Sequence, residues 1–109
     1  MSQLQLTEKA PPNYTDPVFY FISYDKVIGS ANNLKDLLSE MRRLEYEDPR
    51  ALRYHLVEGH ITSWLRSINE KELAEELRWV RNITLAIRIV EEHLDRSVIL
   101  TRMRQGRMR

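Results

Sequence analysis

The chain has 109 residues, no cysteine, 42% hydrophobic and 30% charged residues, and a net charge of +1 at pH 7. Its length fits one domain, and its composition is that of a globular protein rather than a disordered one. The absence of cysteine excludes disulfide frameworks, thiolate metal sites and cysteine nucleophiles.

The first predicted elements are an irregular arm and a β-hairpin. Prolines at 11, 12 and 17 break any regular pattern, so we expect no regular structure in residues 1–17. The aromatic and β-branched run Val18–Ile22 favours a strand. Asp25–Lys26 is the predicted turn into a second strand at Val27–Ile28, which ends at Gly29. Because a two-stranded hairpin is marginal alone, it should lie against helices.

Helical periodicity begins near residue 33. Leucine and methionine recur there at intervals of three and four residues, and Asn33 is the predicted N-cap. Asp48 followed by Pro49 is the preferred start of a second helix, for which Gly59 is the predicted stop.

Three further helices are predicted downstream. A short one spans about residues 62–67. Asn69 is the predicted cap of the next, with Glu72 at the capping-box position. The last covers about residues 83–94 and extends toward Val98. The predicted fold class is therefore mainly α: a compact array of about five short helices with a short N-terminal β-hairpin or extended segment.

Charge is divided unevenly along the chain. Residues 1–95 hold 12 basic and 16 acidic side chains, whereas residues 96–109 hold five arginines and no acid. A segregated charge of this kind is more informative than the small total. We therefore divide the chain into an irregular N-terminal arm at 1–17, a helical domain at 18–95 and an arginine-rich C-terminal tail at 96–109.

The tail is the predicted binding feature, and its candidate nucleic-acid-binding residues are Arg96, Arg102, Arg104, Arg107 and Arg109. Arginine carries a permanent charge and a planar fork of donors suited to phosphate oxygens. In a helix these arginines would fall on all sides of the axis, which does not suit an amphipathic membrane helix and favours a flexible or induced-fit arm. The alternatives are a solubilising tail without a partner and a tail that binds an acidic protein surface.

An additional candidate surface lies before the last helix, where Trp79 is flanked by Arg78 and Arg81. Exposed aromatic rings stack on nucleobases, and neighbouring arginines strengthen such a surface. Trp64 belongs instead to an apolar helical set and is expected in the core.

The segment from Tyr54 to His60 contains two histidines and a glutamate. On a continuous helix, residues five apart point about 140° away from each other, unlike the four-residue spacing of zinc-binding helices. Gly59 is expected to break the helix, so the sequence leaves open whether His55 and His60 converge. We assign them no metal-binding or catalytic role, and a small enzyme centred on His55, Glu58 and His60 is only a third hypothesis.

No other pattern indicates catalysis. Six carboxylates are expected on exposed helix faces: Glu70, Glu72, Glu75, Glu76, Glu91 and Glu92. Their spacing is that of helix caps and of ion pairs with arginine. Three separated glycines cannot build a phosphate-binding loop. We therefore predict that the protein is not an enzyme and has no catalytic residues, metal ligands or cofactor; no small-molecule substrate is evident.

The sequence favours a cytoplasmic protein that does not bind membranes. It has no run approaching the roughly 18 apolar residues of a membrane span, and its N-terminus lacks the charged-then-apolar pattern of a secretory signal. Arginine outnumbers lysine 13 to 4, which together with the absence of cysteine would suit a thermophile.

Short motifs are spread through residues 18–94: Phe19–Phe21, the segment Gly29–Leu34 that leads into a helix, Tyr54–Leu56, Trp64–Arg66 and Leu73–Ala74. Together they resemble an uncharacterised, mainly archaeal family of all-helical domains, found alone or fused to sugar-transferring and phosphatase-type enzymes. The resemblance implies a helical accessory domain, supplies no site residues and does not extend to the tail.

Two functional hypotheses follow. The first is a non-catalytic binding module that contacts an RNA- or DNA-containing assembly through the basic tail, without base specificity. The second is an accessory domain that docks on another protein or enzyme through its helical surface.

Overall fold

The computed structural model describes the backbone of residues 17–107 and the side chains of residues 17–97, so the predicted arm lies almost wholly outside the described residues. An antiparallel hairpin, β1 (Phe19–Ser23) and β2 (Lys26–Ala31), precedes five helices. These are α1 (Leu34–Glu47), α2 (Pro49–Val57), α3 (His60–Ser67), α4 (Lys71–Leu77) and α5 (Ile83–Arg107). The predicted mainly α fold with an N-terminal hairpin is confirmed.

The hairpin differs from the prediction in its turn and its length. The turn is formed by Tyr24 and Asp25, with φ values of 48° and 67°, one residue earlier than predicted. Two successive left-handed residues match the twist of the flanking strands, and aspartate tolerates this conformation. The second strand continues past Gly29 to Ala31, whose side chain is fully buried.

A bulge interrupts the hairpin after Phe21. β2 has one extra residue there, Ile28, between the partners of Phe21 and Ile22. The carbonyl of Ile28 accepts a hydrogen bond from the guanidinium of Arg43 on α1 at 2.6 Å. The helix therefore holds the hairpin by a side chain, at the point where the ladder is irregular.

Two predicted helix starts are confirmed. The Asn33 side chain accepts a hydrogen bond from the backbone N–H of Asp36 at 2.8 Å. Asp48 does the same for Ala51 at 3.2 Å, immediately before the proline that opens α2. Both caps satisfy backbone donors that the first turn of a helix leaves unpaired.

The predicted cap of α4 is wrong. Asn69 has a φ of 67° and lies in the chain reversal after α3, a conformation that asparagine tolerates better than most residues. The N-cap position belongs to Glu70, whose side chain makes no cap hydrogen bond and lies 3.1 Å from His93 of α5 instead. Glu72 remains in the first turn, where an acidic side chain favours the helix dipole.

One hydrophobic core joins the hairpin to the helices. Its largest fully buried side chains come from β1 and all five helices: Phe21, Leu37, Met41, Leu44, Leu52, Ile61, Leu65, Leu73, Leu77 and Val90. Trp64 packs in the core as predicted, and its indole N–H donates to the carbonyl of Pro17 at 2.8 Å. Helix α5 crosses this core in contact with α1, α2 and α4.

Gly59 separates α2 from α3, as predicted, and its φ of 84° lies in the left-handed region. A Cβ there would lie at an ordinary 3.7 Å from Thr62 Oγ1, so the cost of a side chain is backbone strain rather than steric overlap. We expect Gly59→Ala to lower the free energy of unfolding by about 1–2 kcal/mol in urea denaturation. Gly59→Asn should cost less, because asparagine tolerates this conformation; equal losses would contradict the interpretation.

Candidate functional site

Helix α5 carries most of the predicted binding tail. The helix runs without a break through the boundary between residues 95 and 96 and ends at Arg107. The backbone at Arg102, Arg104 and Arg107 is therefore helical rather than a flexible arm, although the side chains there lie outside the described residues, as does Arg109. A helix already nucleated in the packed body extends at low cost, which the composition of the tail does not reveal.

Arg96 is the tail arginine whose side chain the structure describes. Its guanidinium lies 3.2 Å from the carboxylate of Glu76 on α4. Leu94 is the last described residue that packs against the core, and the three residues after it are exposed. Among the described residues, the packing of α5 on the core therefore ends at Leu94, and the Arg96–Glu76 ion pair joins the next turn of the helix to α4.

The loop between α4 and α5 exposes the additional predicted surface. The side chain of Trp79 is 80% exposed, and the guanidinium carbon of Arg78 lies 5.0 Å from its ring centroid. Arg81 is also exposed and lines a shallow cavity together with Arg53. This loop lies at the start of the 25-residue helix α5, about 35 Å along the axis from its end. The loop is therefore far from the end of the tail, although Arg96 at the start of the tail pairs with Glu76 on α4.

Carboxylates of the last two helices form exposed ion pairs; helical spacing predicted the pair of Glu75 with Arg78, whereas the other two join different helices. Glu75 pairs with Arg66 at 3.3 Å and with Arg78 at 3.5 Å, and Glu91 pairs with Arg42. Pairs this exposed contribute little to stability. Among the described residues, no group of three or more histidine, aspartate or glutamate side chains is arranged to hold a metal ion.

His55 and His60 converge, a question that the sequence left open. Their Nδ1 atoms are 3.0 Å apart. Gly59 breaks the helix between them, so His60 begins α3 and its ring faces back toward α2. Glu58 is exposed and does not line the pocket that the two histidines share. The three side chains of the enzyme hypothesis therefore do not come together in this pocket.

His55 is buried against the aromatic residues of β1. Its ring makes edge contacts with Phe19 and Phe21, at centroid distances of 5.5 and 5.6 Å. Its Nε2 lies 2.9 Å from the backbone nitrogen of Ile22 and 3.1 Å from the carbonyl oxygen, so either neutral tautomer finds a partner. Burial lowers the pKa of His55; the Ile22 hydrogen bond opposes this effect, and charge on His60 adds to it.

The histidine pair lines a pocket of about 510 Å³ between the hairpin turn, α2 and the start of α3. Seven of its lining residues carry polar or aromatic groups: Ser23, Tyr24, Asp25, Arg50, Tyr54, His55 and His60. The ring of Tyr54 contacts both imidazoles, at 5.3 and 5.2 Å between centroids. Sequence reasoning missed Arg50 and Tyr54, because no local pattern shows that the hairpin turn closes over them.

The outer face of the hairpin is the second feature that sequence reasoning missed. Tyr20, Ile22 and Val27 are 52%, 44% and 61% exposed, while Phe19 and Phe21 on the opposite face are buried. A strand with one solvated face normally alternates apolar and polar residues. The uninterrupted apolar run at 18–22 was the signal: in a hairpin with only one covered face, half of that run must be exposed.

Comparison with protein-family models, curated proteins and solved structures finds no match to this chain. Within the part of the chain that the structure describes, no helix combines the length and the apolar character of a membrane span.

Proposed function

We propose that the protein is a non-catalytic binding module that contacts an RNA- or DNA-containing assembly through the C-terminal extension of α5. The observation that carries the proposal is the continuity of α5 from Asp95 to Arg107, about 20 Å of helical backbone that carries Arg96, Arg102, Arg104 and Arg107. Residues 96–109 contain five arginines and no acid. An extension of this charge suits a phosphate backbone, which it would bind without reading bases.

The distribution of acidic partners supports this assignment. Arginines on the body, such as Arg42 and Arg66, face carboxylates of the same domain. The tail has no acid of its own, so none of its arginines can be neutralised within residues 96–109. Arginine in the last turn of a helix also interacts favourably with the negative end of the helix dipole. That effect is confined to one turn and does not account for five arginines over 14 residues.

Removing four tail charges tests the proposal. We expect the variant with Arg102, Arg104, Arg107 and Arg109 replaced by glutamine to bind short single-stranded RNA at least about tenfold more weakly at low salt. The slope of log affinity against log salt should also fall by about 3, because each lost phosphate contact removes about 0.7 from it. Fluorescence anisotropy of labelled RNA across a salt series measures both quantities.

A matched control removes the same number of charges from the body. The variant with Arg42, Arg53, Arg66 and Arg88 replaced by glutamine changes four exposed arginines outside the tail. It should keep the salt slope of the unmodified protein. Binding that does not respond to salt, or an equal loss in both variants, would rule out the tail as the contact surface.

A second candidate function is docking on another protein, which the exposed outer face of the hairpin favours. Tyr20, Ile22 and Val27 form an apolar surface on a two-stranded sheet, and protein partners cover surfaces of this kind. This candidate agrees with the helical accessory domain that the resemblance of residues 18–94 implies, although it uses the hairpin rather than the helices.

Affinity capture from a native lysate treated with nuclease separates the two candidates. If docking is correct, partners survive the nuclease and are lost with the double variant Tyr20→Ser and Val27→Ser, while the tail variant retains them. Both replacements are on exposed positions, so the fold should tolerate them. Partners that depend on the tail and disappear with nuclease favour the nucleic-acid proposal instead.

A further inference from the structure

We infer that the pocket lined by the histidine pair binds a small planar aromatic carboxylate. Its volume of about 510 Å³ lies within the range of small-molecule sites. Tyr24 and Tyr54 supply aromatic walls beside Ile22. Arg50 and His60 supply a guanidinium and an imidazole that can donate hydrogen bonds to an anion. This site is separate from the tail, so the inference does not rest on the proposed nucleic-acid function.

Arg50 is the permanent cation of the pocket. No hydrogen bond or ion pair engages its guanidinium among the described residues, whereas Arg43 on α1 has three partners. A guanidinium offers a planar pair of donors that matches the two oxygens of a carboxylate. Asp25 is the acid among the described residues that line the pocket, and it offsets the charge of Arg50. The charge of His60 therefore decides whether the pocket attracts an anion.

The hydrogen bonds of the histidine pair are compatible with a positive charge on His60. In its cationic form His60 donates Nδ1–H to the lone pair on Nδ1 of His55, across the 3.0 Å that separates them. His55 then donates Nε2–H to the carbonyl of Ile22, at 3.1 Å, and this bond replaces the one that Nε2 accepts from the backbone N–H of Ile22 in the other neutral tautomer. In this arrangement three of the four ring nitrogens have a partner. The fourth, Nε2–H of His60, is left to donate to the ligand carboxylate.

His55 acts as a positioning residue in this network. It must stay neutral, because two protonated Nδ1 atoms at 3.0 Å would repel each other. Burial against Phe19 and Phe21 disfavours charge on its ring. The proton that accompanies an anion therefore resides on His60, which is partly exposed to the pocket.

Carboxylate affinity should consequently increase as the pH falls from 8 to 6. The titratable groups that line the pocket with His60 are Arg50, Tyr54 and His55 on α2, and Tyr24 and Asp25 in the turn. Guanidinium, carboxylate and phenol groups ordinarily keep their charge over this range, whereas imidazole changes its charge.

The test compares 2-naphthoate with its neutral analogue 2-naphthamide, using NMR titration of the full chain. We expect 2-naphthoate to bind with a dissociation constant of about a millimolar at pH 6, and to shift the resonances of His60 and Tyr54. Its affinity should fall several-fold by pH 8, while that of 2-naphthamide stays weak and constant. Because the rings alone would hold both compounds equally, this difference reports the cationic groups.

Three variants assign the effect to residues. Arg50→Gln should weaken 2-naphthoate by about five- to tenfold, whereas Arg53→Gln, exposed on the same helix but outside the pocket, should not change it. His60→Gln keeps a donor near the position of Nε2 but carries no charge, so at pH 6 it should bind 2-naphthoate about as weakly as the unmodified protein does at pH 8, with no pH dependence. Equal affinities for the acid and the amide, shifts outside the pocket, or equal effects of the two arginine variants would overturn the inference.

Discussion

Replacing Phe21 with alanine is expected to lower the free energy of unfolding by about 3–5 kcal/mol. Phe21 is fully buried, and its ring contacts Phe19 at 4.8 Å and His55 at 5.6 Å between centroids. The change leaves a cavity where the hairpin meets the helices. A two-stranded sheet is at best marginally stable alone, so it cannot shift to fill that cavity without weakening its own attachment. Urea unfolding followed by circular dichroism measures the loss.

The neighbouring Tyr20→Ala variant is the control. Tyr20 lies on the same strand with its side chain 52% exposed, and it should cost less than about 1 kcal/mol. The contrast tests which face of β1 is covered by the helices. Similar losses for both variants would contradict the inward placement of Phe21 and the outward placement of Tyr20.

Helix positions were predictable where a local chemical cause marks the end of a helix. Asn33 and Asp48 each accept the backbone N–H that begins a helix, and Gly59 adopts the left-handed conformation that interrupts one. Asn69 shows the limit of this reasoning. Asparagine serves equally as a cap and as a left-handed residue, and the choice between them depends on how α3 and α4 pack.

The candidate pocket could not be predicted because its groups come from three separate elements. The turn that supplies Tyr24 and Asp25 closes over α2, which supplies Arg50. The approach of His60 to His55 depends on the direction the chain takes after Gly59. Sequence spacing fixes relations within one helix, and here the helix ends between the two histidines.

The arginine tail shows the opposite case, in which composition was clear and conformation was not. The acid-free charge of residues 96–109 is evident from the sequence. Its helical backbone as far as Arg107 follows from the packed part of α5, which supplies the nucleus that the tail lacks. A preformed helix has less entropy to lose on binding any partner than a flexible arm has.

The second large effect is expected at His55. His55→Ala removes a buried ring from contact with Phe19 and Phe21 and leaves the backbone N–H of Ile22 without its side-chain partner. Together these losses should lower the free energy of unfolding by about 2–4 kcal/mol at pH 7. His60→Gln, which changes the partly exposed member of the pair, should cost much less.

The same residue should make the stability of the unmodified protein depend on pH. Burial lowers the pKa of folded His55 below its ordinary value of 6.5, which the unfolded chain keeps. Near and below pH 6.5 the unfolded state therefore binds more protons than the folded state. The free energy of unfolding consequently decreases as the pH decreases. The slope is at most about 1.4 kcal/mol per pH unit, and this contribution levels off once the pH is below the pKa of folded His55.

Denaturation from pH 7.5 to 5 in the unmodified protein and in both histidine variants isolates this contribution. All other titratable groups are the same in the three proteins, so the difference between the curves belongs to the pair. His55→Ala should flatten the decline near pH 6, whereas His60→Gln should keep most of it, because His55 remains buried against β1. If His60→Gln alone removed the decline, the proton-sensitive group would be His60, and the assignment of the neutral member of the pair would have to be reversed.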